Sequence, residues 1–319
     1  VSRSTTRVRR LSMDAGRSVP GPGMPGAGGA LTPAVTGLRI GVAPHRLWAA
    51  TESELDGVLE HARLAERLGF DHLIAGSHLL DTELGPTLEP VTMLAVIAGA
   101  TSRIRLATSV LILPLYNPVV LANQAATLDR LSGGRFTLGV GTGWHAGEFE
   151  AVGSPFGERG RRTDEYLATL RTLWEKDSAT VKIAAAPSTP GGPEVWVGGG
   201  STAALRRAVR FGDAWHGSGL DPKALRETHI RLRDLADAAG RPEPAVTVGG
   251  FLVPPGFDTA VEAPGHHLGG ARPTAASVLD ELGELAAAGA TAYSLWLPVP
   301  TAQFADALAW VAEQVVAAS

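Results

Sequence analysis

The feature that most constrains this chain is an alternation, repeated eight times, of a short apolar run with an amphipathic stretch. The apolar runs are Leu38–Ala43, Asp71–Ala75, Ile104–Leu113, Phe136–Val140, Glu194–Val197, Asp213–His216, Ala245–Leu252 and Thr291–Leu297. A capping box at Thr51-Glu-Ser-Glu54 opens the first helix-like segment. Its apolar residues Leu55, Val58, Leu59, Ala62, Ala65 and Leu68 share one face, and Gly69 ends it. Further helices are expected at Val91–Ala100, Pro118–Leu131, Asp164–Trp174, Thr202–Arg210, Pro222–Ala239, Ala275–Ala288 and Ala302–Val316. Eight pairs over roughly 280 residues is about 35 residues per pair, the size of a βα unit. Short apolar strands alternating with amphipathic helices predict a parallel sheet covered by helices. Eight units favour closure over an open doubly wound sheet, because a closed sheet has no edge strand. The expected fold is α/β, a single-domain TIM (β/α)8 barrel over residues 38–317.

Composition narrows the partners. With 45% hydrophobic and 19% charged residues in 319, the chain can bury a large core. A net charge of −4 argues against nucleic acid held through phosphates. The absence of cysteine excludes disulfides and thiolate chemistry. The longest apolar run, Met93–Ala100, is far short of the ~20 residues of a membrane span. The expectation is a soluble, cytoplasmic protein acting on a small molecule, with neither nucleic acid nor membrane as partner. Residues 1–37 have Arg-rich and Pro/Gly-rich halves without periodicity and are expected to be a disordered extension. Their Arg9-Arg10 pair precedes no apolar region, unlike a secretory leader, and Val1 suggests a translation start at Met13 or Met24.

A barrel places its site at the C-terminal ends of its strands, so the residues that follow each strand carry the functional reading. Gly76-Ser77-His78 follows the second strand and Ser109-Val110 falls in the third. Gly139-Val-Gly141-Thr142-Gly143-Trp144 follows the fourth, with His145 and Glu148 beyond. Gly198-Gly199-Gly200-Ser201 follows the fifth, and His216-Gly217 the sixth. Gly198 to Ser201 opens a helix, where unpaired N–H groups and the helix dipole favour an anion and glycine lets it approach; the plainer reading is a turn with Ser201 as N-cap. The glycines from Gly139 to Gly143 do not match the dinucleotide fingerprint, because Trp144 stands where Gly or Ala is needed. They permit either close packing or a flat surface for a planar ring. His78, alone after its strand, is either a structural histidine or a proton donor at the rim. Trp144 is either a cofactor wall or a lid. His266-His267 lacks the spacing of a metal site, and no metal is expected. The three lysines, Lys176, Lys182 and Lys223, sit at no strand end, which weakens a Schiff-base lyase or isomerase.

Several segments together resemble the luciferase-like flavin and deazaflavin oxidoreductase family. They are Ala107-Thr-Ser-Val-Leu-Ile-Leu-Pro114, Asn117-Pro-Val-Val-Leu-Ala-Asn-Gln124, Ala126 to Arg135, Leu138-Gly-Val-Gly-Thr-Gly-Trp144, Glu148-Phe149, Arg161 to Tyr166, and Trp196-Val-Gly-Gly-Gly-Ser201. The similarity covers Leu38 to Gly217 well and is greatest to the branch that uses coenzyme F420. The resemblance implies a cofactor across the C-terminal rim and a non-proline cis peptide at Ser109–Val110 behind its central ring. It places the phosphate at Gly198, Gly199, Gly200 and Ser201, and Gly141 and Gly143 beside the ring, with Thr142 and Trp144 nearby. It implies hydride transfer between F420 and a small organic substrate, with His78 as the catalytic proton donor. Ser77 occupies the position where the deazaflavin branch often has an acid, which leaves FMN, with an O2-dependent monooxygenase reaction, as the alternative. A cofactor-binding protein without turnover is a third reading. The resemblance also implies a homodimer, to which the apolar helix Val119–Leu131 is suited. The segment Asp177–Gly192 is shorter than the family's usual insertion, so the loop Pro254–Gly270 is expected to cover the pocket.

Overall fold

The strands close on themselves. In the computed structural model, which describes residues 37–45, 57–80, 87–175, 181–263 and 265–319, every strand pairing is parallel. The strands are β1 (Arg39–Val42), β2 (His72–Ala75), β3 (Arg105–Thr108), β4 (Leu111–Ile112), β5 (Phe136–Gly141), β6 (Glu194–Gly198), β7 (Ala214–Ser218), β8 (Ala245–Phe251) and β9 (Ala290–Trp296). Their order is β3-β2-β1-β9-β8-β7-β6-β5-β4, and an additional β3–β5 pairing joins the ends. β3 and β4 are two halves of one staves' position, so the molecule is an eight-stranded TIM barrel.

The helices are α1 (Val58–Leu68), α2 (Pro90–Ala100), α3 (Pro118–Ser132), α4 (Ala146–Ala151), α5 (Arg159–Trp174), α6 (Thr202–Phe211), α7 (Pro222–Ala239), α8 (Ala275–Ala287) and α9 (Phe304–Gln314). Local chemistry sets their ends. Glu89, Asn117, Ser201, Asp221 and Thr274 each accept a backbone N–H at the start of the following helix. Gly69, Gly133 and Gly240 close α1, α3 and α7 in the left-handed conformation. The capping box at Thr51–Glu54 and the N-terminal extension lie outside the described residues.

Two differences from the sequence reading bear on the site. The run Ile104–Leu113 is not one strand: it divides into β3 and β4 at Ser109–Val110, whose peptide bond is cis. The short helix α4 was not expected; it carries Glu148 and Phe149 inward. A smaller difference is that α5 begins at Arg159 rather than Asp164.

Side chains alternate between the two faces of each strand. Outward residues such as Leu73, Leu106, Val195, Val197 and Leu295 pack with the helices in one large core. Inward residues form a second cluster of Ala43, Ile74, Ala107, Trp196, Ala214, Phe251 and Trp296. Polar groups thread this interior. His72 Nδ1 lies 2.9 Å from Asp71 Oδ2 and its Nε2 lies 2.8 Å from Ser294 Oγ. Trp196 meets His72 edge-on at 5.6 Å and stacks on His216 at 5.2 Å on the side of the strands' C-terminal ends. Burial lowers the pKa of His72.

Candidate active site

A cavity of about 480 Å³ opens at the C-terminal ends of the strands. After β2 it is lined by Gly76, Ser77 and His78; at the β3–β4 break by Ser109, Val110 and Ile112; and after β5 by Gly141, Thr142, Gly143 and Trp144. Gly198 and Gly199, His216 and Ser218, Gly249 and Phe251, and Trp296 complete it from the remaining strands. Of the residues that the sequence reading assigned to catalysis or to a cofactor, Gly200 and Ser201 lie beyond this lining, at the start of α6.

The glycines divide by cause. A Cβ on Gly139 would lie 1.9 Å from the Thr108 carbonyl oxygen, and one on Gly143 2.5 Å from Ile112 Cγ2. A Cβ on Gly141 would lie 2.8 Å from Val110 Cγ2, and one on Gly198 3.2 Å from Val110 Cγ1. Close packing therefore requires glycine at 139, 141 and 143, at 198 a Cβ would make the neighbours give by a few tenths of an ångström, and the same packing leaves a bare wall around Val110. Gly199 has φ +115°, a conformation that L side chains rarely adopt. Gly200 is different: a Cβ there would meet nothing within 4 Å. The helix beyond is capped by Ser201, whose Oγ accepts the Ala204 N–H at 3.2 Å.

His78 has a partner 70 residues away. Its Nδ1 lies 3.3 Å from Glu148 Oε1, and the fully buried carboxyl also accepts the Leu79 N–H at 2.5 Å. An N–H can only donate, so Oε1 is an acceptor and the His78 proton sits on Nδ1. Nε2 is thereby the nitrogen left for the cavity. Glu148 Oε2 is buried without a hydrogen-bond partner. Trp144, 60% exposed, meets the His78 ring edge-on at 5.5 Å.

Ser77 lines the cavity beside His78, and the Tyr116 hydroxyl donates to Glu89 Oε1 at 3.0 Å. Burial, with Glu89 beside it, raises the Tyr116 pKa, so the phenol remains protonated. The Thr87 hydroxyl donates to the His78 carbonyl at 3.1 Å, which ties the loop after β2 to the stretch that leads into α2.

The loop after β8 packs back against the barrel interior. Val261 and Ala263 pack against the interior cluster that contains Phe251 and Trp296. His267 pairs with Phe251 through a strand-like bridge. His266 Nε2 contacts Glu281 Oε1, and His267 Nε2 contacts the Ala263 carbonyl. A second cavity of about 860 Å³ lies within this loop, from Val253 to Pro273, and shares no lining residue with the rim cavity. Among the described residues no helix is long and apolar enough to cross a membrane.

Sequence reasoning placed Glu148 beyond the fourth strand without giving it a role, and it did not name the wall formed by Ser218, Gly249, Phe251 and Trp296. Glu148 stood inside a recognised motif, and its spacing from Trp144 was its only signal. His216 was legible as a strand-end residue, but its partners were not.

Closed parallel strands, a rim cavity with bare glycine walls and a histidine–carboxylate pair place the candidate site of this TIM barrel at the C-terminal ends of its strands. The family model described as luciferase-like monooxygenase matches residues 40–263, and the chain belongs to that family. An uncharacterized protein of Mycobacterium tuberculosis strain H37Rv is 35% identical over 182 residues, covering 53% of this chain and 62% of the relative. An FMNH2-dependent dimethylsulfone monooxygenase of Pseudomonas fluorescens is 29% identical over 236 residues, covering 70% of this chain and 64% of the relative. The chain thus spans less than two thirds of either relative's length. Among solved structures, an F420-dependent secondary alcohol dehydrogenase superposes with TM-score 0.74 at 18% identity, covering 88% of this chain and 99% of that one. Monooxygenase RslO1 from Streptomyces bottropensis superposes with TM-score 0.73 at 22% identity, covering 88% and 99%.

Proposed function

We propose that the rim cavity binds a flavin-type tricyclic cofactor and that the protein is an oxidoreductase for a small organic substrate. Coenzyme F420 is the leading form of the cofactor and hydride transfer the leading reaction. The observation that carries this reading is the bare wall of Gly141 and Gly198 around Val110, continuous with Gly199 and, just beyond, the open Gly200 at the start of α6. Such a wall suits a flat ring, and the helix start suits its phosphate. The residues present fit the group: Gly198 to Ser201 would hold the phosphate, while Ser109, Val110, Gly141, Thr142 and Gly143 would face the ring. When bound, the cofactor supplies the hydride. His78 presents Nε2 to the cavity, oriented by Glu148 through Nδ1–H, and in its doubly protonated form it donates the Nε2 proton to the substrate. Trp144 screens this histidine from one side. We assign the working form as a homodimer through α2 and α3, whose outward faces expose Val96, Val119 and Val120.

The second reading is an FMN-dependent monooxygenase. Ser77 favours it, because a serine stands where the deazaflavin branch often has an acid. The extent of similarity to the FMNH2-dependent relative favours it too. Spectroscopic titration of the purified chain with F420 and with FMN separates the two. F420 binding without oxygen uptake supports the first reading; FMN retention with substrate-dependent oxygen uptake replaces it with the second.

A further inference from the structure

A chain of side chains runs beneath the cavity and joins the β3–β4 break, β7 and β8. His216 on β7 is 5% exposed and stacks on Trp196 with an interplanar angle of 18°. Its Nε2 lies 3.0 Å from Ser109 Oγ, and its Nδ1 lies 2.8 Å from Thr247 Oγ1. Thr247 Oγ1 lies 3.3 Å from the carbonyl oxygen of Trp215. The far end of the chain sets the direction of every proton in it. A carbonyl oxygen only accepts, and a hydroxyl has one proton, so Thr247 donates to Trp215 and accepts from His216 Nδ1–H. Burial pushes the His216 pKa down to about 3, with His72 adding to the effect, so the ring is neutral and its Nε2 is bare. Ser109 then donates its only proton to His216. Its remaining lone pairs face the cavity that it lines.

We propose that His216 and Thr247 are positioning residues that hold the Ser109 hydroxyl as an acceptor toward the ligand, so that the cavity favours the reduced form of the cofactor ring. This rests on the ring binding proposed above. Reduction of a flavin or a 5-deazaflavin adds a ring N–H that the oxidised ring lacks. A reduced ring can donate that hydrogen to Ser109, whereas an oxidised ring sets a nitrogen lone pair against an oxygen lone pair. Neither His216 nor Thr247 needs to touch the ring; both act through Ser109.

The test is anaerobic titration of the full chain with FMN and with F420, each oxidised and reduced. The wild-type chain is expected to bind the reduced form of its cofactor about tenfold more tightly, the worth of one hydrogen bond. Ser109→Ala brings that ratio close to one. His216→Phe retains a ring on Trp196, removes the acceptor and does the same. In the Ser109→Ala background, His216→Phe changes the ratio no further. A preference that survives Ser109→Ala overturns the proposal, as does an equal effect of His216→Phe with and without the serine. Nitrogen-15 NMR of the histidines in the ligand-free wild-type chain reads the same relay without any variant. A proton on Nδ1 of His216 is expected, and a proton on Nε2 overturns it. If the wild-type chain binds no ring in either redox state, the ring reading falls and the redox preference falls with it, while the NMR still decides the direction of the relay.

Discussion

Glu148 shows how one residue can serve stability and chemistry together. Its buried carboxyl takes the Leu79 N–H and the His78 Nδ1, so it holds the loop after β2 against the loop after β5. Glu148→Ala leaves that N–H without its acceptor and is expected to cost about 1–3 kcal/mol. Urea denaturation that shows no loss would remove the pairing from the account. His78→Ala takes away the proposed proton donor without touching the glycine wall. Turnover is expected to fall by about 10²-fold or more, with cofactor affinity largely retained. An unchanged rate would take His78 out of the mechanism. Both residues were visible in the sequence at the right strand ends. Their partnership was not, because no local pattern links positions 70 residues apart.

At the scale of elements, the loops after β5 and β6 contain glycines of two kinds. Gly139→Ala forces a Cβ to within 1.9 Å of the Thr108 carbonyl, where backbone must move. Overpacking of this sort costs about 1–3 kcal/mol or more, and thermal denaturation should show a clear drop in Tm. Gly200→Ala meets open space and should leave Tm unchanged. It should instead weaken binding of the phosphate-bearing cofactor while sparing a ring fragment that lacks the phosphate, as read by fluorescence titration. Equal affinities for the cofactor in wild type and Gly200→Ala would move the phosphate elsewhere. The sequence marked both loops as glycine-rich strand ends. It did not separate packing from access, which depends on what the neighbouring strand places opposite each Cα.

For the whole molecule, burying histidines inside a barrel makes stability depend on pH. His216 is held near 3 in the fold and returns to about 6.5 when the chain unfolds. Between those values the unfolded chain binds a proton that the folded chain refuses, so stability rises with pH and falls on acidification. Its full contribution is present above about pH 6.5 and is lost progressively toward pH 3. His72, lowered by the same burial, acts in the same direction. From pH 7 to pH 5, His216 alone accounts for a loss of about 2 kcal/mol. Urea midpoints across that range should fall less in His216→Phe than in wild type. Parallel pH dependences in the two proteins would show that His216 titrates freely.

The amino-acid sequence by itself determined the number and order of the βα units, the cap Ser201, and the loops that gather at one rim. These follow from periodicity and capping chemistry over a few residues, so they can be read locally. Only the tertiary structure decided where the third strand breaks, which glycines are walls and which are openings, and how Ser109, His216 and Thr247 line up beneath the cavity. The physical reason is the stagger of a closed barrel. Which inward side chains meet depends on the register between β3, β7 and β8, and that register is set by closing all the strands at once.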